Sequence, residues 1–295
     1  MAHGESEFDL IVDEADALGM PGDVPHVERV DVPLADPAGA RLSALVWASE
    51  QRIAFLHGAA LNAHTWDGAI LSLGRPALAL DLPGHGDSSW RDDFDYSPRT
   101  NARAVAAALD QLVPHVPQVI VGHSLGGMTA IALLESRPEL VERLILVDIT
   151  PGLRREDAQQ LMAFLSGPLE FDSREQIVEL AIAAGIGSDR DALMRGVIFN
   201  TRVREDGKVV FKHHFGSPPQ GVSFDLDFSS LWPALERSAV PTLLVRATDG
   251  FLAPPVVQEF RERVPRAEVV EVPSGHNVQE QLPLELSAII SRALS

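Results

Sequence analysis

One stretch of this 295-residue chain holds more chemical information than any other: Val119-Ile120-Val121-Gly122-His123-Ser124-Leu125-Gly126-Gly127. A strand-like apolar run leads into the serine and a helix-forming run leads away, so Ser124 must sit on a sharp turn. Gly122 and Gly126 remove side chains that would collide there. A serine lifted above a sheet at a helix start faces unpaired backbone N–H groups and the positive end of the helix dipole, which favour a developing anion. A serine that merely caps the helix would give the same pattern without chemistry. Serine is a weak nucleophile until a base takes its proton, and ten histidines compete for that role. Adjacent residues on an extended segment point to opposite faces, so His213-His214 reads poorly as a chelating pair, and no metal is assigned.

The elements that must position these groups follow from hydrophobic patterning. Val27 to Leu34 and Leu42 to Ser49 alternate about Asp36-Pro37-Ala38-Gly39, the pattern of a hairpin. From residue 52, short apolar runs at 53–56, 77–80, 119–121, 144–147, 243–245 and 268–272 alternate with helical segments near 98–113, 125–137, 254–264 and 283–294. Runs of this kind read as strands covered on both faces, with helices as the crossovers of a parallel sheet, so the class is α/β. The strand rhythm stops between Asp148 and Pro241. Amphipathic pieces near 155–166, 173–184 and 189–199 there predict a mostly helical cap over residues 151–232, inserted after the sixth strand. Residues 27–150 and 233–295 form the core. Residues 1–26, with seven acids from Glu5 onward and no Lys or Arg before Arg29, read as a solvated acidic extension.

With these pieces in place, the sequence resembles the α/β-hydrolase fold superfamily from about residue 27 onward. The Ser124 turn matches that family's nucleophile elbow. Phe55-Leu56-His57-Gly58-Ala59, Asp81-Leu82-Pro83-Gly84-His85-Gly86-Asp87-Ser88 and Pro273-Ser274-Gly275-His276 follow in the family's order. The resemblance implies that Ser124 is the nucleophile and His276 the base. It implies structural roles for His57, His85 and His123, and an oxyanion hole from the backbone N–H groups of Ala59 and Leu125. Trp66 is expected to pack beneath the Ala59 loop.

The acid that orients the base departs from the commonest family pattern. Alignment on Pro254 puts Gly250 where that acid is expected, with Asp249 one position early. Asp148, at the end of Leu144-Ile145-Leu146-Val147-Asp148, is the second candidate, because some hydrolases of this fold place the acid at that strand end. Adjacent strands lie ~4.8 Å apart, so a carboxylate at the Asp148 strand tip reaches the same imidazole from the neighbouring strand. Both candidates keep the chain order Ser, acid, His. Asp148 is preferred, with Asp249 as the alternative.

Composition narrows the partners. The chain is 45% apolar and 22% charged, with mean hydropathy +0.05, the balance of a globular protein. A net charge of −18 repels phosphate backbones and anionic lipid surfaces, so neither nucleic acid nor membrane is expected. No apolar run approaches the ~18 residues of a membrane span, and Met1 to Leu10 carries acids where a signal peptide carries bases. The absence of cysteine suits a cytoplasmic setting. Gly84-His85-Gly86 lacks the third glycine of a dinucleotide loop and Gly207-Lys208-Val209 is no P-loop, so no cofactor is implied. The expected function is a serine hydrolase cleaving a small carboxylic ester or lactone through an acyl-enzyme. The alternatives are a carbon–carbon bond hydrolase of a diketone-like substrate and a non-catalytic ligand-binding protein of the same fold. Oligomeric state is not legible.

Overall fold

Alternation in the first strand pair closes a hairpin, and the both-face apolar runs that follow become a parallel sheet beside it. The computed structural model describes residues 6–20, 24–154, 167–184, 187, 189–215 and 226–295. Strands β1 (Val27–Pro33) and β2 (Arg41–Trp47) pair antiparallel, and β3 (Ile53–Leu56), β4 (Ala77–Leu80), β5 (Gln118–His123) and β6 (Val141–Val147) come next. Three short strands, β7 (Glu170–Phe171), β8 (Thr201–Val203) and β9 (Val209–Phe211), form a separate antiparallel sheet. The last two, β10 (Thr242–Ala247) and β11 (Glu268–Val272), rejoin the large one. Its order is β1-β2-β4-β3-β5-β6-β10-β11, parallel from β4 onward.

This order contains a reversal. The chain goes outward from β3 to β4 and then returns past β3 to β5, so crossovers leave these two neighbours in opposite directions. In open α/β sheets the ligand crevice lies at the carboxyl ends of the strands beside such a switch point. The Ala59 loop follows β3 and Ser124 follows β5, so the fold itself puts the two side by side.

Two apolar layers cover the sheet. One contains α3 (Pro98–Leu112), α4 (Leu125–Ser136), α7 (Trp232–Arg237) and α8 (Pro254–Arg263); the other contains α1 (Asp9–Ala17), α2 (Asp67–Leu73) and α10 (Pro283–Ala293). Ser97 caps α3 by accepting a hydrogen bond from the Thr100 N–H, with Pro98 at the first helical position, as its sequence predicts. Residues Gly126 to Leu134 of α4 are all buried, so the helix behind Ser124 is fixed on every side. Among the described residues no helix is long and apolar enough to cross a membrane.

Two expectations need correction. Over residues 6–20 the acidic lead-in is not a solvated arm. Ile11 and Ala15, one turn apart on α1, are buried at 0% and 4% exposure, and spacing of i, i+4 puts them on one face. Its acids find cations: Glu7 pairs with Arg29 at 2.9 Å and Glu14 with Arg195 at 2.9 Å. Among its described residues the segment inserted after β6 also holds strands that its sequence did not suggest. It contains α5 (Arg174–Ala183) and α6 (Arg190–Asn200), near the expected 173–184 and 189–199, but β7 to β9 as well. Gly207, at φ +82°, turns the β8–β9 hairpin. The helix expected at 155–166 lies outside the described residues.

Candidate active site

Ser124 sits between β5 and α4 with φ 50° and ψ −119°, a backbone state that costs a non-glycine residue about 1–3 kcal/mol and must be enforced by its surroundings. The enforcement is steric. A Cβ on Gly126 would lie 2.1 Å from the Leu56 carbonyl oxygen, and one on Gly122 would lie 2.6 Å from the Gly126 carbonyl oxygen. Two strand ends and a helix start therefore meet at van der Waals contact, and only glycines fit. Ser124 itself is 9% exposed.

Two backbone N–H groups are the candidate donors here, those of Leu125 and Ala59. Leu125 opens α4, so its N–H has no intrahelical acceptor. The second donor is aimed by His57. Burial depresses the His57 pKa to about 4, so the ring is neutral with one N–H. That Nδ1–H donates to the Gly58 carbonyl (2.7 Å), while Nε2 accepts from the Leu82 N–H (2.9 Å). A trans peptide directs its N–H opposite to its C=O. Pulling the Gly58 carbonyl toward His57 thus turns the Ala59 N–H the other way, and Ala59 lines the same cavity as Ser124. Trp66 is buried, 5.0 Å from the Phe55 ring, and does not line that cavity.

His276 enters from the loop after β11. Its Nδ1–H donates to Asp148 Oδ2 at 2.8 Å, and its Nε2 is buried with no hydrogen-bond partner among the described residues. Four contacts hold the loop and ring. The Phe251 ring stacks on the imidazole at 3.8 Å and 17°, and the Gly275 N–H donates to Gln281 Oε1 at 2.8 Å. His123 Nε2–H donates to the His276 carbonyl at 3.0 Å. The Asp249 N–H donates to the Ser274 carbonyl at 3.0 Å. Burial depresses the His123 pKa well below the ordinary value, so this ring is a neutral tether.

Of the two candidate acids, the structure brings Asp148 to the imidazole and leaves Asp249 outside. Asp148 is fully buried; its Oδ1 accepts from the Ala247 N–H (3.0 Å) and its Oδ2 from the Phe251 N–H (2.9 Å) as well as from His276. Three donors on one carboxylate fix its plane. Asp249 is exposed, and its backbone rather than its carboxylate touches the His276 loop. Gly250 completes the account: a Cβ there would lie 2.1 Å from Asp148 Oδ2. The glycine at the usual acid position makes room for an acid from the neighbouring strand. Phe251, Gln281 and the tethering role of His123 were not anticipated; the glycine was the readable signal.

The cavity above Ser124 has a volume of about 430 Å3, within the range of small-molecule sites. Ile177, Leu193, Val197 and Phe211 of the inserted segment form an apolar wall. The opposite wall is polar. Glu280 is half-buried there, accepting from the Thr65 hydroxyl (2.6 Å) and Asn277 Nδ2 (3.0 Å), and desolvation raises its pKa. The inserted segment is anchored across this wall: Asn62 Nδ2 donates to Asn200 Oδ1 (2.6 Å), and Phe199 stacks on His64 at 3.8 Å. Burial opposes a charge on His64, yet Asp67 and Glu7 outweigh it and hold its pKa near about 9. The histidine pair diverges: His213 lines the cavity, while His214 stacks on Trp90 at 4.2 Å and hydrogen-bonds the Tyr96 hydroxyl at 2.7 Å.

A serine on a strained turn at the switch point of a mostly parallel sheet, facing a carboxylate-bound imidazole, defines the α/β-hydrolase class. The chain belongs to the Alpha/beta hydrolase family, whose family pattern matches residues 53–289. It is similar to the Esterase Rv0045c of Mycobacterium tuberculosis, with 38% identity over 99% of this chain and 96% of that protein. A solved structure of that esterase superposes with a TM-score of 0.84, covering 99% of both chains at 38% identity. A more distant relative is the sn-1-specific diacylglycerol lipase ABHD11 of Mus musculus, 28% identical over 82% of this chain and 80% of that protein.

Proposed function

We propose that this protein is a carboxylic ester hydrolase, lactones included, working through an acyl-enzyme on Ser124. The observation that carries the reading is the His276 ring: Nδ1 held by the buried Asp148 carboxylate at 2.8 Å and Nε2 left bare beside the same cavity as Ser124. A carboxylate that accepts from Nδ1 fixes the tautomer with the lone pair on Nε2, which is the base the serine needs. Ser124 Oγ attacks the ester carbonyl as His276 Nε2 takes its proton. The Ala59 and Leu125 N–H groups receive the oxyanion, and the imidazolium, stabilised by Asp148, protonates the leaving alcohol. Water then attacks the acyl-enzyme by the same proton route in reverse. The 38% identity to a protein named an esterase supports this reading.

Residues 151–232 act in it as a cap whose apolar wall selects the substrate, and the substrate is a small molecule. The acidic charge and cysteine-free composition favour a cytoplasmic setting. The test is covalent labelling with a fluorophosphonate together with steady-state cleavage of p-nitrophenyl butyrate. Ser124→Ala should abolish labelling and lower kcat by several orders of magnitude while the melting temperature holds, as triad removal does elsewhere. Unlabelled folded wild type, or near-normal turnover in Ser124→Ala, refutes the reading.

A further inference from the structure

A second hollow of about 240 Å3 lies against the inserted segment, lined among the described residues by Trp90, Leu169 and Val210 together with the charged Glu170, Arg202 and Arg204. It shares two residues with the cavity above Ser124, Phe211 and His213. Phe211 and His213 therefore face both spaces.

The two side chains are held very differently. Phe211 lies in β9 and packs edge-on against Phe171 at 5.4 Å. His213 follows the strand. It is 7% exposed, and among the described residues neither ring nitrogen has a hydrogen-bond partner. Burial depresses its pKa to about 3, so no ion pair holds it either. Its contacts are ring against ring, with Phe211 at 4.7 Å and Phe215 at 6.3 Å. Nearly all buried polar groups in proteins are paired, and one that is not calls for a reason. A side chain that must swing is such a reason, since a hydrogen bond would lock it. The outer hollow also leaves large apolar groups open, Trp90 at 45% and Leu169 at 39% exposure, which a hydrocarbon chain would cover.

We propose that His213 is a movable partition, and that the outer hollow is a second subsite for the far end of an acyl chain too long for the cavity above Ser124. This rests on the ester-hydrolase reading and deepens it by naming the substrate class: esters of extended, apolar acids. A short acyl group fits with the partition closed; a longer one displaces the His213 ring and runs between Trp90 and Val210. Each methylene buried in the outer hollow should then raise kcat/KM by about fourfold, the equivalent of ~0.8 kcal/mol per buried CH₂.

The experiment measures kcat/KM for p-nitrophenyl acetate, butyrate, octanoate and laurate with wild type, His213→Ala and Val210→Trp. Val210 lines the outer hollow and not the inner cavity, so the tryptophan fills only the proposed subsite. His213→Ala should raise the laurate-to-butyrate ratio by about tenfold or more, and Val210→Trp should lower that ratio by raising KM for laurate while acetate is cleaved as before. Equal scaling of all four esters by His213→Ala, or unaltered laurate kinetics in Val210→Trp, overturns the proposal. Absence of acetate cleavage by wild type overturns the hydrolase reading, and the subsite falls with it.

Discussion

Replacing Gly250 by alanine tests the assignment of the acid without touching any ionisable group. Gly250 does not lie in the left-handed region, so alanine brings no backbone strain, only a methyl group. That methyl would stand 2.1 Å from Asp148 Oδ2 and 2.6 Å from its Cγ. Real contacts of this kind stay beyond 3.0 Å, so the carboxylate must retreat by about 1 Å. Its bonds to the Phe251 N–H at 2.9 Å and His276 Nδ1 at 2.8 Å lie on the same oxygen and lengthen first. A misplacement of ~1 Å at a reacting constellation costs about 10²-fold in rate, near 3 kcal/mol in the barrier. Loss of the acid by Asp148→Asn sets the ceiling at about 10⁴-fold. Crowding should also lower stability by about 1–3 kcal/mol. The assay is kcat and KM on p-nitrophenyl butyrate beside a thermal melt. Gly250→Ala should lose kcat at nearly constant KM, Asp148→Asn should lose more, and Asp249→Asn should stay near wild type. A Gly250→Ala enzyme with wild-type kcat, or an Asp249→Asn enzyme more damaged than Asp148→Asn, refutes the reasoning.

Two further expectations concern stability and shape. His64 has its pKa raised from 6.5 to about 9 in the fold, so the charged form is the one the fold favours. Its stabilisation is complete below about pH 6.5 and is lost as pH rises through about 9. The size is on the order of 3 kcal/mol. Melting temperatures from pH 6 to 10 should fall across that window in wild type and fall less in His64→Gln; parallel curves would count against it. Gly196 of α6 lines the cavity above Ser124, and a Cβ there would meet nothing within 4 Å. Gly196→Leu should therefore fold normally and cut kcat/KM for octanoate about tenfold more than for acetate, since one lost methylene slot is worth about 10–200-fold. An unchanged chain-length profile would place the acyl group elsewhere.

How much of this could be read in advance depends on whether the deciding interaction is local. Strands buried on both faces announce themselves as Ile53–Leu56 or Ala77–Leu80 do, because every position must be apolar. The elbow was legible because its glycines answer to collisions within a few residues and with one neighbouring strand. The segment around α1 was hidden by its acids Glu7 and Glu14, whose partners Arg29, His64 and Arg195 lie 22, 57 and 181 residues away in the chain. The β8–β9 hairpin was overlooked although Asp206-Gly207 is a strong hairpin signal; three-residue strands show too little alternation to support it. The choice between Asp148 and Asp249 turned on a contact between two strand ends, which no single segment contains, and only the small residue at 250 hinted at it.

The salt bridge between Glu14 and Arg195 joins the chain's opening helix to the roof of the chamber. Whatever grips, clips or displaces that helix pulls on α6, and through Asn200 on the Asn62 turn beside the oxyanion loop. The first segment is thus tied to the chamber wall at a distance from the reacting groups.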